Sequence, residues 1–532
     1  MKHKSIMTVI ALWLLTGQIS FSKSPESKVQ SDEVRQLPNI LLILADDLGW
    51  SDIGCYGSEI RTPVIDDLAR QGLRMTQMHN TAKSYPSRSC LITGLYAQQN
   101  GYFKDPRGPL ENCITFGEYL KSAGYTTLWA GKHHGFENPR TRGFDHFWGL
   151  RDGACNYFNP GCQRDGEGVP AQKVKNRYWC VEKDTYAPYT PKEKDFYTTD
   201  YFTNHALEWL DEYKDDEKPF FLYLAYNAPH DPLMAWPEDI AKYEGMYDEG
   251  YEAIRKARYE KQRRMGLIDG KFRLSEPTFR PWESLSDEEK KTESRKMEVY
   301  AAMIDRMDQN IGRVIDKLKE QGKFENTLII FVSDNGASNE VVELPGSYGE
   351  IGSMTNWTSL GVDWANVANT PLRYYKNFSY EGGISAPMII CWQDGLKNPG
   401  RISGHLGHFV DFMATFVDLV GYPYPEEYDG RKILPCEGES FMPAIRDEKY
   451  EREKPIFWEW RTGQAARDGK WKIVREGKDN PWELYDMDKD PSETKDLSAR
   501  HPEIVDRLNT MFKEWKKRVS ITKAHPKVKK NL

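Results

Sequence analysis

The sequence has no excess of positive charge, no cysteine spacing typical of a zinc site and no internal repeat. Its formal net charge is −7, so we expect no basic surface field of the kind that attracts nucleic acid. Beyond the N-terminal segment, no apolar run is long enough to span a bilayer. The 532 residues, 39% of them hydrophobic and 29% charged, have the composition of a folded globular protein and suffice for more than one domain.

Residues 1–22 have the pattern of a secretory signal peptide. Lys2 and Lys4 precede a short apolar run over residues 6–15, and small residues follow it before a plausible cleavage point. A buried N-terminal helix would have a similar composition, but the run is too short for a comfortable membrane span. Because no cysteine directly follows the run, we expect export without a lipid anchor and no stable membrane anchor.

Eight cysteines are spread through the chain. In an exported protein some of them can pair, and Cys155, Cys162 and Cys180 lie close together in sequence. Buried free thiols explain the same residues equally well. The sequence leaves both alternatives open.

Four apolar segments end in polar, ionisable residues, as buried strands of a parallel sheet do. The segments are residues 40–45, 125–130, 220–225 and 327–332, and they run into Asp46-Asp47, Gly131-Lys132-His133-His134, Asn227-Ala228-Pro229-His230 and Ser333-Asp334-Asn335-Gly336. Helical patterns alternate with these segments, which predicts an α/β fold with a mainly parallel sheet. Since ligands bind at the carboxyl ends of such strands, the four clusters predict one site at one edge of the sheet.

The rest of the chain predicts an inserted helix, a long loop and a second, smaller domain. Residues 240–295 are highly charged and indicate a solvated helix inserted over the sheet, while residues 150–195 indicate a long loop. Residues 421–430 have the composition of a linker; the alternation after them predicts a small antiparallel sheet, and a helix closes the chain. We predict an N-terminal domain over residues 36–422 and a C-terminal subdomain over residues 436–525.

Oxygen donors dominate two of the predicted strand ends. Asp46, Asp47, Asp334 and Asn335 offer hard ligands without cysteine or histidine, a set that suits calcium or magnesium. Aspartates also cap helices and form turns, so either pair alone is weak evidence. Two such pairs at strand ends favour a metal site.

Potential cations fall in the same zone. They are Arg88, Lys132, His134, His230 and Lys376. A carboxylate-bound metal ringed by cations makes a site for a tetrahedral oxyanion such as sulfate or phosphate, and a histidine there can protonate a leaving oxygen. The alternative for each histidine alone is a structural role, and for Lys376 it is a surface charge.

Residues 84–94, SYPSRSCLITG, resemble the signature of the type I sulfatases, (Cys or Ser)-x-Pro-Ser-Arg-x-x-x-(Leu or similar)-Thr-Gly. The four strand-end motifs and Lys376 before Glu381-Gly382-Gly383 match the family in the same order. The resemblance spans roughly residues 38–515 and is closest to bacterial arylsulfatases and related carbohydrate sulfatases. It implies an alkaline-phosphatase-like sandwich with a large, mainly parallel mixed sheet, plus a smaller C-terminal α+β domain with an antiparallel sheet.

The resemblance also implies a modified nucleophile. Ser84 would be oxidised to formylglycine, whose hydrated aldehyde attacks sulfur and later expels sulfate. A serine at this position implies a radical-SAM sulfatase-maturing enzyme as partner, and so a bacterial host. Calcium would be held by five residues, which are Asp46, Asp47, Ser84, Asp334 and Asn335.

Roles for the remaining site residues follow from the same resemblance. Charge on the transferring group would be offset by four residues, Arg88, Lys132, His230 and Lys376. His230 is the preferred acid that protonates the leaving alcohol, and His134 is the preferred base for the collapse of the sulfated intermediate. The two histidines could exchange these roles.

Departures from the family pattern bear on the substrate. Trp460 and Arg461 stand where relatives often have His-Glu, and they either bind a sugar or belong to the C-terminal domain. Trp148 and Tyr157 are expected to line the pocket. We expect a periplasmic enzyme that removes O-sulfate from a galactose or N-acetylhexosamine, with a 3-O-sulfated galactoside as the most specific expectation. The alternatives are an arylsulfatase acting on phenolic sulfates, a phosphonate or phosphodiester hydrolase, and an inactive glycan-binding relative.

Overall fold

The computed structural model describes residues 36–172 and 177–520. The predicted signal peptide and the last five residues of the predicted C-terminal subdomain lie outside the described residues. The strands are β1 Asn39–Asp46, β2 Leu73–His79, β3 Thr126–Gly131, β4 His146–Leu150, β5 Trp179–Val181, β6 Asp184–Tyr186, β7 Phe220–Pro229, β8 Thr327–Ser333, β9 Ser385–Cys391, β10 Arg401–His408, β11 Glu427–Tyr428, β12 Arg431–Lys432, β13 Ile456–Trp460, β14 Gly463–Asp468, β15 Trp471–Arg475 and β16 Glu483–Asp486.

Helices follow most of the strands. They are α1 Pro63–Arg70, α2 Ser84–Thr93, α3 Ala97–Asn100, α4 Phe116–Ser122, α5 Thr198–Glu212, α6 Pro237–Ile240, α7 Gly250–Arg264, α8 Asp287–Glu320, α9 Val362–Ala368, α10 Glu381–Ile384, α11 Asp411–Val420, α12 Met442–Ile445 and α13 Pro502–Val519. In the described part of the chain, no helix combines the length and the apolar character that a membrane crossing requires.

A ten-stranded sheet in the order β10-β2-β9-β8-β1-β7-β3-β4-β5-β6 forms the centre of the fold. Its middle strands, from β8 to β4, are all parallel, while β9, β5 and their neighbours form antiparallel pairs. Strand β1 is buried at all eight positions because neighbouring strands pair with it on both edges. This arrangement confirms the predicted α/β fold with a large, mainly parallel mixed sheet.

Two groups of helices pack around this sheet. Helices α5 and α8 contact each other and strand β7, while α2, α4 and α11 contact one another, with α4 also against β3. Helix α8 buries one apolar face, which includes Tyr300, Met307 and Leu318. The sheet is therefore covered by helices in the way that a buried parallel sheet requires.

The C-terminal region forms a second, four-stranded antiparallel sheet, β13-β14-β15-β16. Helix α13 contacts β14 and β15. Trp458 and Val474 of this sheet join Tyr380 and Ile384 of the large part of the chain in one buried apolar cluster. The predicted antiparallel sheet and closing helix are confirmed, while the domain boundaries remain a prediction.

The charged segment 240–295 differs from the predicted solvated helix. Helix α7 buries Arg255, Arg258 and Gln262. Arg258 lies 2.6 Å from Asp52 Oδ1 and 2.8 Å from Glu59 Oε1. The prediction failed here because charges whose partners lie far away in sequence can be buried as ion pairs.

All eight cysteines are free thiols in the structure, and six of them are buried. Cys155 and Cys180 are among the buried ones, whereas Cys162 is exposed. Of the two alternatives that the sequence left open, the structure therefore has the free thiols.

Candidate active site

Ser84 begins helix α2, and its hydroxyl lies at the carboxyl ends of β1 and β8. Its Oγ is 3.0 Å from Asp46 Oδ1 and 2.8 Å from Asp334 Oδ2. The two aspartates lie side by side because the preceding residues, Ala45 and Ser333, are paired in the sheet. All ten residues of α2 are buried, so the core and not a surface loop holds the serine between two carboxylates.

The oxygen atoms around Ser84 fit a cation. One hydroxyl proton cannot serve two carboxylates at once. Asn335 Nδ2 donates to Asp47 Oδ1 at 2.6 Å, while Asn335 Oδ1 is buried without a hydrogen-bond partner. Such an orphaned carbonyl oxygen beside carboxylates is a ligand that hard divalent cations prefer. The four predicted ligands, Asp46, Asp47, Asp334 and Asn335, are thus brought together with Ser84.

His230 extends this oxygen cluster. Asp46, Asp47 and His230 offer ligand atoms that all lie within 4.8 Å of one another. His230 Nε2 is 3.4 Å from Asp47 Oδ2, while Nδ1 is 2.6 Å from the carbonyl oxygen of Asp231. Because the ring contacts a carboxylate of the oxygen cluster, the geometry suits either a metal ligand or a proton donor at the same place.

Three cations surround the carboxylates. Arg88 Nε is 2.7 Å from Asp334 Oδ2, and its Nη2, which makes no hydrogen bond, lies 3.4 Å from Asp46 Oδ1. Lys132 Nζ contacts Asp46. Lys376 Nζ is 2.8 Å from Asp47 Oδ2. All three side chains are almost fully buried, so the structure places these predicted cations, like His230, against a predicted metal ligand.

The acidic side chains of this cluster are matched by an equal number of lysine and arginine side chains. Burial alone would raise the pKa of the Asp47 carboxyl, but the charges of Lys376 and His230 outweigh burial and lower it. At Asp334, the charges of Arg88 and Lys132 likewise outweigh burial and lower the pKa. The Asp47 and Asp334 carboxylates, together with the adjacent Asp46 side chain, then face three cationic side chains. A divalent cation would make the site net positive, which is what an anionic substrate requires.

The neighbourhood of His134 suits a neutral imidazole. Burial lowers the pKa of His134 well below its ordinary value, and the charges of Lys132 and Arg88 lower it further. Its Nδ1 is buried without a hydrogen-bond partner. Gly153 approaches the ring so closely that an added Cβ would lie 2.7 Å from His134 Nε2. A neutral histidine that is held in this way can accept a proton.

Tyr157 and Trp148 have structural positions, although both were expected to line the pocket. Trp148 is buried among aromatic rings, with Trp179 at 4.8 Å and His205 at 4.2 Å between ring centroids. It is therefore core, since strand β4 directs it away from solvent. Tyr157 is fully buried as well, and its hydroxyl lies 2.5 Å from the carbonyl oxygen of Asn227 and 2.8 Å from that of His230. Tyr157 therefore holds the segment that carries His230.

Trp460 and Arg461 lie near the nucleophile. Trp460 Nε1 donates to Asn377 Oδ1 at 3.0 Å, next to Lys376, and its ring contacts the Tyr85 ring edge at a centroid distance of 5.5 Å. Trp460 is 7% exposed, whereas Arg461 is exposed and its guanidinium lies 5.6 Å from the Trp460 ring centroid. Trp460 is therefore packed, as the structural alternative expects, while Arg461 is accessible, and sugar binding by either residue stays a prediction.

Two charged residues at the site were missed in the sequence. Glu340 lies 3.0 Å from Lys376 Nζ and 2.6 Å from Lys83 Nζ, and Lys83 directly precedes Ser84. Burial, followed by the charge of Lys376, lowers the pKa of Lys83 to about 8, although Glu340 acts in the opposite direction. No spacing rule connects these residues, since Glu340 lies in an irregular segment after β8 and only the fold brings it to Lys83.

Comparisons with known proteins agree with this geometry. The sulfatase family profile matches residues 38–422, and the profile of the N-sulphoglucosamine sulphohydrolase C-terminal region matches residues 372–518. An uncharacterised sulfatase of Schizosaccharomyces pombe is 34% identical, over 93% of this chain and 94% of its own. An arylsulfatase of Klebsiella aerogenes is 32% identical, over 78% and 93%. The solved structure of Ps i-CgsB in complex with k-i-k-neocarrahexaose has a TM-score of 0.66 and 26% identity, over 90% and 93%.

Proposed function

The chain belongs to the sulfatase family, so it is a sulfuric ester hydrolase, and from this premise we propose that its substrate is an O-sulfated glycan. The main support for this chemistry in this chain is the position of the Ser84 hydroxyl. The Ser84 hydroxyl lies between Asp46 and Asp334 at one sheet edge, inside a ring of buried cations. This arrangement combines a nucleophile, an acidic cation site and an oxyanion site in one place.

We further propose that Ser84 is converted to formylglycine and that the oxygen cluster holds calcium. Asp46, Asp47, Asp334, Asn335 and residue 84 would hold the ion, and the orphaned Asn335 Oδ1 supports this assignment. When bound, calcium would supply Lewis-acid polarisation of oxygen, and the hydrated aldehyde would supply a nucleophile whose second hydroxyl allows later release of sulfate.

The chain's own residues would act on the sulfate and on the leaving group. Arg88, Lys132 and Lys376 are buried cations whose unused hydrogen-bonding capacity can offset charge on the sulfate oxygens. His230, which Tyr157 holds through its backbone, would donate a proton to the departing sugar oxygen. His134, which burial keeps neutral, would accept the proton of the hydroxyl that collapses.

The substrate class rests on the surroundings of the nucleophile. Trp460 and the exposed Arg461 next to Tyr85 offer an aromatic edge and a guanidinium, which together suit a sugar ring with polar groups. The structural relative that was solved with a neocarrahexaose supports an oligosaccharide. We propose an O-sulfated galactose or N-acetylhexosamine, and within that class a 3-O-sulfated galactoside.

A second candidate is an arylsulfatase acting on small phenolic sulfates. The 32% identity to the arylsulfatase of Klebsiella aerogenes favours it. An inactive glycan-binding relative is weaker, because the candidate nucleophile and the predicted cations are present at the site. A phosphonate or phosphodiester hydrolase would use the same residues, and the match to the sulfatase family disfavours it.

The proposal also includes how the protein is matured and where it acts. A serine-type signature would be read by a radical-SAM sulfatase-maturing enzyme in a bacterium. The pattern of residues 1–22 supports export to the periplasm. Expression with and without such a maturing enzyme therefore decides whether the purified protein is competent.

The experiment is sulfate release by the matured protein with calcium, from a matched panel. The panel holds galactose, N-acetylglucosamine and N-acetylgalactosamine, each sulfated at one defined hydroxyl, beside an aryl sulfate. We expect release from one sugar position, and a Ser84→Ala variant is the control for contaminating activity. Release from the aryl sulfate alone would establish the second candidate, and release of phosphate alone from matched phosphate esters would overturn both.

A further inference from the structure

We propose that a pocket on the C-terminal sheet, far from Ser84, is a second binding site for an acidic saccharide. The pocket has a volume of about 420 Å³ and lies between that sheet and the loop before α8. Its lining residues are Arg273, Lys470, Trp471, Asp486, Lys489, Asp490, Lys495, Leu497 and His501. The proposal goes beyond the proposed hydrolysis, because binding at this pocket requires no catalytic residue.

Positive charge is concentrated at this pocket in a chain whose formal net charge is −7. Arg273 comes from the loop after α7, and three lysines come from turns at the ends of β14 to β16 and the segment after them. All four side chains are exposed. Their convergence from separate segments forms a local cationic surface that attracts sulfate or carboxylate groups.

An aromatic ring lies among these cations. Trp471 is half-buried, with Lys470 Nζ at 5.3 Å from its ring centroid and the His501 ring at 5.4 Å between centroids. A partly exposed tryptophan beside polar groups can pack against the apolar face of a sugar. A ring in this position distinguishes the pocket from an ordinary patch of surface lysines.

The two aspartates of the pocket differ in a way that points to the ligand. Asp490 accepts hydrogen bonds from the backbone nitrogens of Thr494 and Lys495, so it is a structural turn residue. Asp486 is 3% exposed; its Oδ2 lies 3.4 Å from Lys489 Nζ, whereas its Oδ1 is buried without a hydrogen-bond partner. An unpaired carboxylate oxygen needs a donor, which a sulfate ion lacks and a sugar hydroxyl provides. The ligand therefore carries both an anionic group and hydroxyl groups.

The pocket and the active site lie at opposite ends of the small sheet. Trp460, near Ser84, is paired with Gly463 at the start of β14, and Trp471 is paired with Asp468 at its end. The two ends of β14 are five residue steps apart, which in an extended strand is about 17 Å. A saccharide at the pocket is therefore held at a place that a single sugar in the active site does not reach.

Binding of dextran sulfate to the full-length protein, measured calorimetrically at fixed ionic strength, tests this inference, with unsulfated dextran of equal length as the control ligand. We expect the triple variant Lys470→Gln, Lys489→Gln, Lys495→Gln to weaken binding by about tenfold, since each exposed charge contributes a small factor. Trp471→Leu should weaken binding severalfold although it removes no charge. Turnover of a small aryl or monosaccharide sulfate should be unchanged in both variants.

A matched control is the triple variant Lys214→Gln, Lys256→Gln, Lys291→Gln, which removes three exposed lysines elsewhere. Its binding should change less than twofold. Equal losses in the two triple variants would show diffuse electrostatic attraction and overturn the inference. Full binding by Trp471→Leu, with a thermal midpoint like that of the native chain, would also overturn it.

Discussion

A buried ion network joins the C-terminal sheet to the large sheet, and Lys472 is at its centre. Its Nζ lies 2.7 Å from Glu381 Oε1 and 2.7 Å from Glu493 Oε1. His79 Nε2 lies 2.9 Å from the other oxygen of Glu381. Lys472→Met keeps the apolar part of the side chain and removes the ammonium, so both carboxylates lose their shared partner.

The loss of stability caused by Lys472→Met depends on pH. Removing one partner of a buried ion pair costs about 3–5 kcal/mol. Burial raises the pKa of Glu493 from 4.5 to about 7 even beside Lys472. Because this folded-state pKa lies above the unfolded value, the stability that protonated Glu493 contributes is complete below pH 4.5 and is lost as the pH rises through 7. At pH 8 we therefore expect Lys472→Met to lower the free energy of unfolding by an amount at the upper end of this range. At pH 6, where Glu493 takes a proton, we expect the loss to be about 1–2 kcal/mol smaller.

Urea unfolding, followed by tryptophan fluorescence and circular dichroism at pH 6 and pH 8, measures this effect. Lys470→Met, at an exposed position two residues away, is the matched control and should change the free energy of unfolding by less than about 0.5 kcal/mol. The double variant Lys472→Met, Glu493→Gln should recover part of the loss. Equal unfolding midpoints for Lys472→Met and the control at pH 8 would refute the reasoning.

Three further predictions concern the site and its support. Tyr157→Phe removes the hydroxyl that holds the His230 carbonyl and should lower kcat about tenfold with little change in KM, as steady-state kinetics on a cleaved substrate would show. Arg258→Met leaves the buried Asp52 without its ion pair and should cost about 3–5 kcal/mol in urea unfolding, while turnover per folded molecule stays unchanged. Chelation should abolish sulfate release, and calcium at 100 times its Kd should restore activity and add about 2.7 kcal/mol to the free energy of unfolding. Full activity of Tyr157→Phe, an unchanged midpoint for Arg258→Met, or calcium-independent turnover would contradict these expectations in turn.

The sequence predicts the part of the site that depends on strand ends. Asp46 and Asp334 each follow a buried apolar run, and parallel pairing of those runs places both residues against Ser84. Such a convergence follows from local patterns and the topology of a parallel sheet. The same logic explains why the α/β fold and the C-terminal antiparallel sheet could be predicted.

What the sequence did not reveal depends on tertiary pairing. Glu340 meets Lys83 and Lys376 across the fold, and Arg258 is buried because Asp52 neutralises it. Neither pair has a spacing that local pattern can detect. Trp148 was misassigned for a related reason, since an aromatic residue near a strand end can face either the core or the pocket, and only packing decides between them.

The central claim is that residue 84 acts as a formylglycine nucleophile in a sulfatase. The most direct test measures, on the same samples, the mass of the peptide containing Ser84 and the rate of sulfate release, after expression with and without a radical-SAM maturing enzyme. The account predicts that activity rises in proportion to the fraction of peptide that has lost two hydrogens, and that unmodified serine protein is inactive. Equal turnover by fully unmodified protein would contradict it.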